Sequence, residues 1–137
     1  MTRILLDAGP LFAFYSQSDR WHDWAVRQLH ELTEPLFTCE PALAEASFLL
    51  QRQGTYPGTF LPLLQKGIIK ITFDLEAEAD ALNTLMHRYR NIPMCLADAC
   101  LVRMSELFKN SCVLTLDSDF RVYRRFGRQV IPLIIPS

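Results

Sequence analysis

Asp7, Glu45, Asp98 and Asp117 each end or interrupt an apolar run, where carboxylates are least expected. Asp7 follows Ile4-Leu5-Leu6, and Glu45 lies inside the stretch from Pro41 to Leu50. Asp98 interrupts Met94 to Val102, and Asp117 follows Cys112-Val113-Leu114-Thr115-Leu116. An unpaired buried charge costs on the order of several kcal/mol, so four such acids suggest convergence on something positive. Carboxylates brought together repel and take up protons unless a cation removes the conflict. Magnesium or manganese suits oxygen ligands, and a metal so held generates hydroxide and stabilises a phosphodiester in transit. The chemistry implied is metal-assisted hydrolysis of a phosphate ester.

Each acid also has a simpler reading. Asp7 alone can cap the helix that follows it, and Asp117 or Asp119 can cap the next one. Glu45 reaches Arg52 only across two helical turns. Asp98 has Arg103 five residues on, off the spacing at which helical pairs meet. The joint coincidence of four acids outweighs these separate readings.

The elements that must position them follow from periodicity and punctuation. Strands are expected at Thr2–Leu6, Leu36–Cys39, Ile68–Phe73, Ser111–Leu116 and, as an edge, Val130–Ile135. Helices are expected from Gly9-Pro10 to about Tyr15, over Trp21–Leu32, from Pro41 to about Gln53, over Phe60–Gln65, over Glu76–Tyr89, from Pro93 to Phe108, and over Phe120–Phe126. Strands alternating with helices predict an α/β fold on a mainly parallel sheet. In such a sheet ligands bind beyond the carboxyl ends of the strands, where Asp7 and Asp117 stand. Glu45 and Asp98, early in helices that start at or face that edge, are free to join them.

The 137 residues are half apolar or aromatic and 21% charged, which reads as a single domain, 1–137, with a real core. No apolar run approaches the roughly 20 residues that span a bilayer, and no signal-peptide pattern opens the chain, so a cytoplasmic protein is expected. Cys39, Cys95, Cys100 and Cys112 form no Cys-x-x-Cys pair and are expected to be reduced core thiols rather than a zinc site. His22, His30 and His87 lack an adjacent nucleophile, which ranks histidine-based catalysis low.

Taken together, these stretches resemble a known family. Ile4 to Ala13 is similar to the opening strand and first acid of the PIN-domain ribonucleases, the VapC toxin type in particular. Asp19 to Ala25 resembles the segment that follows. Thr38 to Glu45 fits the second-acid motif with Glu45, rather than Glu40, in the matching place. Leu96-Ala97-Asp98-Ala99-Cys100-Leu101 matches the third motif and Leu114 to Phe120 the fourth. The ordered set covers nearly the whole chain. The resemblance implies a Rossmann-like three-layer α/β/α sandwich and a Mg²⁺- or Mn²⁺-dependent endoribonuclease. It implies Asp7 and Asp98 as principal metal ligands, with Glu45 and Asp117 completing the acidic set, Asp119 as a further candidate and Thr115 hydrogen-bonding within it. It also implies a homodimer and a cognate antitoxin. One departure is Ala8, where many relatives carry Ser or Thr beside the first acid.

A chain of net charge −1 must attract RNA locally. Arg121, Arg124, Arg125 and Arg128, interleaved with Tyr123 and Phe126, are the candidate phosphate contacts, with the aromatics able to stack on bases. A solvated basic helix, or a surface for an acidic partner, reads the same residues differently. Two other functions stay open on the sequence: a non-catalytic PIN scaffold binding RNA or protein, and an aspartate-based phosphotransfer domain. The latter lacks the second acid that such sites need near Asp7, where Gly9 stands.

Overall fold

The β-rich apolar run at the start of the chain becomes strand β1 (Arg3–Leu6), and Asp7 then caps helix α1 (Ala8–Tyr15), whose first turn contains Pro10. The computed structural model describes residues 2–137. There follow α2 (His22–Glu31), β2 (Leu36–Thr38), α3 (Glu40–Arg52), α4 (Leu61–Gln65), β3 (Ile69–Ile71), α5 (Ala79–Arg88), α6 (Leu96–Leu107) and β4 (Ser111–Leu114). A 3-10 turn (Ser118–Arg121) leads to β5 (Arg124–Arg125), β6 (Gln129–Val130) and β7 (Leu133–Ile134).

The main sheet has the order β3-β2-β1-β4-β7 with every pairing parallel. Strand alternation sends neighbouring side chains to opposite faces. Leu5 and Val113 therefore pack among α5 and α6, with Leu82, Leu101 and Met104. Leu6 and Leu114 pack on the other face with Leu11 of α1, and with Ala46 and Leu50 of α3. Burying each large aliphatic side chain in this way is worth about 1.5–3 kcal/mol. The result is an α/β/α three-layer sandwich, as expected from the sequence.

The order in which the chain adds strands to the sheet reverses at β1. The connection to β2 leads one way, while β4 lies on β1's other side. The carboxyl ends of β1 and β4 thus flank a topological switch point, the place where open α/β sheets bind ligands. Two local contacts hold these ends: Asp7 N–H donates to the Leu114 carbonyl (3.0 Å), and the buried Thr38 hydroxyl donates to the Leu6 carbonyl (2.7 Å).

The C-terminal third differs from expectation. Phe120–Phe126 is not a helix, and Val130–Ile135 is not one strand. Arg124 and Arg125 pair antiparallel with Val130 and Gln129 in a separate two-stranded hairpin. Its tip needs positive φ at Phe126 (54°) and Gly127 (81°), a conformation that a helix does not contain. Pro132, which lacks an N–H, separates β6 from β7. The helix expected from Pro93 starts later, because Cys95 supplies the N-cap of α6. Among the described residues, no helix is long and apolar enough to cross a membrane.

Candidate active site

Among the described residues, Asp7 and Asp98 are the two acids that the fold buries, at 6% and 7% exposure. The expectation that all four are buried is corrected: Glu45 is exposed, and Asp117, like Asp119, is half-buried. Glu45 also lies in the second turn of α3 rather than near its first, exposed yet within electrostatic reach of Asp98 and Asp117.

Each buried acid is held from two sides. Asp7 Oδ1 accepts the Ala8 N–H (2.8 Å), the helix-capping bond anticipated by its simpler reading, and Oδ2 accepts the Thr115 hydroxyl (2.7 Å). Thr115 Oγ1 in turn accepts the Asp117 N–H (2.9 Å), tying the end of β4 to Asp7. Asp98 stands at the third position of α6 in a reciprocal cap with Cys95: its N–H donates to Cys95 Sγ, and its Oδ2 accepts the Cys95 N–H, both at 3.4 Å. Oδ2 also accepts the hydroxyl of Tyr123 (3.0 Å), a side chain with no exposure. Asp117 Oδ1 accepts the Asp119 N–H (2.9 Å), so Asp117 caps the 3-10 turn, while Asp119 serves as its first-turn acid.

The electrostatics show one shared environment. Burial raises Asp7 to about 7 against the pull of Thr115 and Ala8, and the charges of Asp98 and Glu45 add to the rise. Asp98 is raised by burial, resisted by the Tyr123 and Cys95 hydrogen bonds and reinforced by Asp117. Glu45, though exposed overall, is raised by desolvation of its carboxyl and then by Asp98 and Asp117. Among the described residues no arginine or lysine side chain pairs with these acids to relieve the repulsion. Arg103 donates instead to Glu78 (2.6 Å) and Glu106 (3.0 Å), Arg52 lies over the Phe48 ring, and among the described residues none of the four acids forms an ion pair.

The donor set suits a hard divalent ion, since Asp7 and Asp98 offer only carboxylate oxygens and repel each other without one. The acids do not close into a complete cage. Among the described residues no three acid, cysteine or histidine side chains are grouped as a metal ligand set. A buried pair with outlying acids matches the way magnesium is held by one or two carboxylates and several waters.

The four arginines do not act alike. Arg124 Nη1 donates to the carbonyls of Arg121, Val122 and Tyr123, and Arg125 Nη1 to those of Ser105 and Lys109. Arg125 thereby caps the far end of α6, roughly 10 Å or more along the axis from Asp98 at about 1.5 Å per residue. Arg121 and Arg128 are exposed, and Arg121 lies in the 3-10 turn that begins beside Asp117. Cys95 is exposed rather than a core thiol, with its thiol pushed up to about 12, first by desolvation of the sulfur and also by the neighbouring acids. Tyr123 is the site residue that sequence reasoning missed. The sequence offers it only as a base-stacking aromatic beside the arginines, and no local signal sets it apart from Phe126 in the same segment.

No family model and no curated protein sequence matches the chain. Among solved structures it is similar to VapC20 of Mycobacterium tuberculosis, described as a sarcin-ricin loop cleaving toxin, with a TM-score of 0.77 and 17% identity. The match covers 94% of this chain and 99% of that one. The chain has the VapC-like PIN fold.

Proposed function

We propose that this PIN fold carries a divalent-metal-dependent endoribonuclease that hydrolyses RNA phosphodiester bonds, acting as the toxin of a toxin-antitoxin pair. The observation that carries the reading is a pair of buried carboxylates, Asp7 at the switch point of the sheet and Asp98 within electrostatic reach of it, neither in an ion pair with a side chain among the described residues. The structural neighbour is described as a toxin that cleaves the sarcin-ricin loop, which supports a nucleic-acid-cleaving reading with RNA as the substrate class. A cognate antitoxin, a homodimer and a cytoplasmic setting belong to the same proposal.

Asp7 and Asp98 would hold Mg²⁺ or Mn²⁺, which when bound supplies an activated water and charge stabilisation at the phosphate. Thr115 keeps Asp7 Oδ2 oriented, and Ala8 N–H keeps Oδ1. Glu45 and Asp117, within electrostatic reach of Asp98, can accept a proton from attacking water, with Asp119 as the neighbouring acid. Arg121, exposed in the 3-10 turn that follows Asp117, would bind a flanking phosphate. Attack by water leaves a 5′-phosphate on one fragment and a 3′-hydroxyl on the other.

The test is incubation with total RNA, with and without Mg²⁺, Mn²⁺ and chelator, followed by mapping of fragment ends. Asp7→Asn and Asp98→Asn are each expected to lower cleavage roughly 100-fold or more while keeping the fold. Normal cleavage by both variants, or full activity in chelator, would refute the site.

A further inference from the structure

The geometry points to Tyr123 as a positioning residue for Asp98, one that locks a single carboxylate oxygen and leaves the other for the site. The phenol donates to Oδ2 at 3.0 Å, the same oxygen that takes the Cys95 N–H. Among the described residues Oδ1 receives no hydrogen bond from the protein. Carboxylate orientation in a metal or phosphate site depends on such outer contacts, because a freely rotating carboxylate loses entropy on binding.

Tyr123 is itself held rigidly. Its ring meets Tyr89 edge-on at 5.1 Å and Phe120 at 5.2 Å, both centroid distances, and it has no exposure. The Tyr89 hydroxyl does not reach Asp98 and instead accepts the Arg124 N–H at 2.9 Å, so only its ring bears on Tyr123. The segment after Asp117 thus returns across the N-terminus of α6 and delivers one hydroxyl to its buried acid. Thr115 does the same for Asp7, so each buried carboxylate has its own hydroxyl donor.

The assignment rests on the nuclease reading, and the experiment separates the two. Wild type, Tyr123→Phe and Tyr89→Phe are compared by Mn²⁺ titration calorimetry without RNA, by steady-state cleavage, and by thermal melting. Tyr123→Phe keeps the ring and removes one hydroxyl, so it folds. Its expected behaviour is roughly 10-fold weaker Mn²⁺ binding and a 10- to 100-fold lower kcat, with KM for RNA within about twofold. Tyr89→Phe disturbs the same aromatic group without touching Asp98 and is expected to bind Mn²⁺ like wild type. Wild-type Mn²⁺ affinity in Tyr123→Phe overturns the assignment whatever happens to its melting, and so does an equal loss in Tyr89→Phe. A wild-type protein that neither binds Mn²⁺ nor cleaves RNA sinks the nuclease reading, and the assignment with it.

Discussion

Asp7 carries opposing demands on one carboxyl: burial and two neighbouring acids favour its proton, while Thr115 and Ala8 favour its charge. The net rise, from 3.8 to about 7, has a definite consequence for stability. Between these values the folded chain binds more protons than the unfolded one, so stability falls as pH rises. Asp7's contribution is complete below about pH 4 and is lost as pH passes through about 7. The raised Asp98 and Glu45 act in the same direction. In chelator, the thermal midpoint is therefore expected to drop across that window, and Asp7→Asn to flatten the slope. Added Mn²⁺ is expected to raise the midpoint more at pH 8 than at pH 5, because it binds the charged form. A midpoint that instead climbs steadily from pH 4 to 7 in chelator, and does so equally in Asp7→Asn, contradicts the burial argument.

At the scale of elements, the β5–β6 hairpin is anchored to α6 away from the acids. Glu106 Oε2 accepts the Phe126 N–H at 2.7 Å, and its other oxygen pairs with Arg103 at 3.0 Å. This carboxylate fixes a turn whose Phe126 has a left-handed backbone, costing about 1–2 kcal/mol. Glu106→Ala is expected to destabilise the chain by about 1–3 kcal/mol in urea titration and to speed hydrogen exchange at the hairpin. The turnover of the folded fraction should not change, and a large loss of kcat would show that the hairpin reaches the site. Arg125 belongs to the same scaffold, since its guanidinium serves the carbonyls at the end of α6.

Over the whole molecule, a net charge of −1 leaves RNA attraction to local cations. Arg121 and Arg125 separate two roles that their shared segment runs together. Arg121→Ala is expected to weaken RNA binding and reduce the salt slope by roughly 0.7 for the lost phosphate contact. Arg125→Ala is expected to lower stability by about 1–2 kcal/mol and leave the slope unchanged. Filter binding over a salt series, paired with melting curves, distinguishes them. The reverse pattern would move the RNA surface to the hairpin.

The acids, the parallel α/β sheet and most element positions were legible in the sequence, because carboxylates inside apolar runs and strand-helix alternation are local patterns. Asp7 directly follows a buried strand, and Asp98 sits within an apolar helix, so their burial could be read from neighbours in the chain. Glu45 could not be judged that way: whether its side of α3 faces the core or the rim depends on how α3 meets α1 and α6. The hairpin was equally hidden, since Arg124–Arg125 and Gln129–Val130 become strands only by pairing with each other and docking on Glu106. Tyr123 joined Asp98, 25 residues away, through a non-local hydrogen bond that no spacing encodes. Residue chemistry and period belong to the sequence alone. Which side chains meet, and which arginines remain free, was decided by long-range packing.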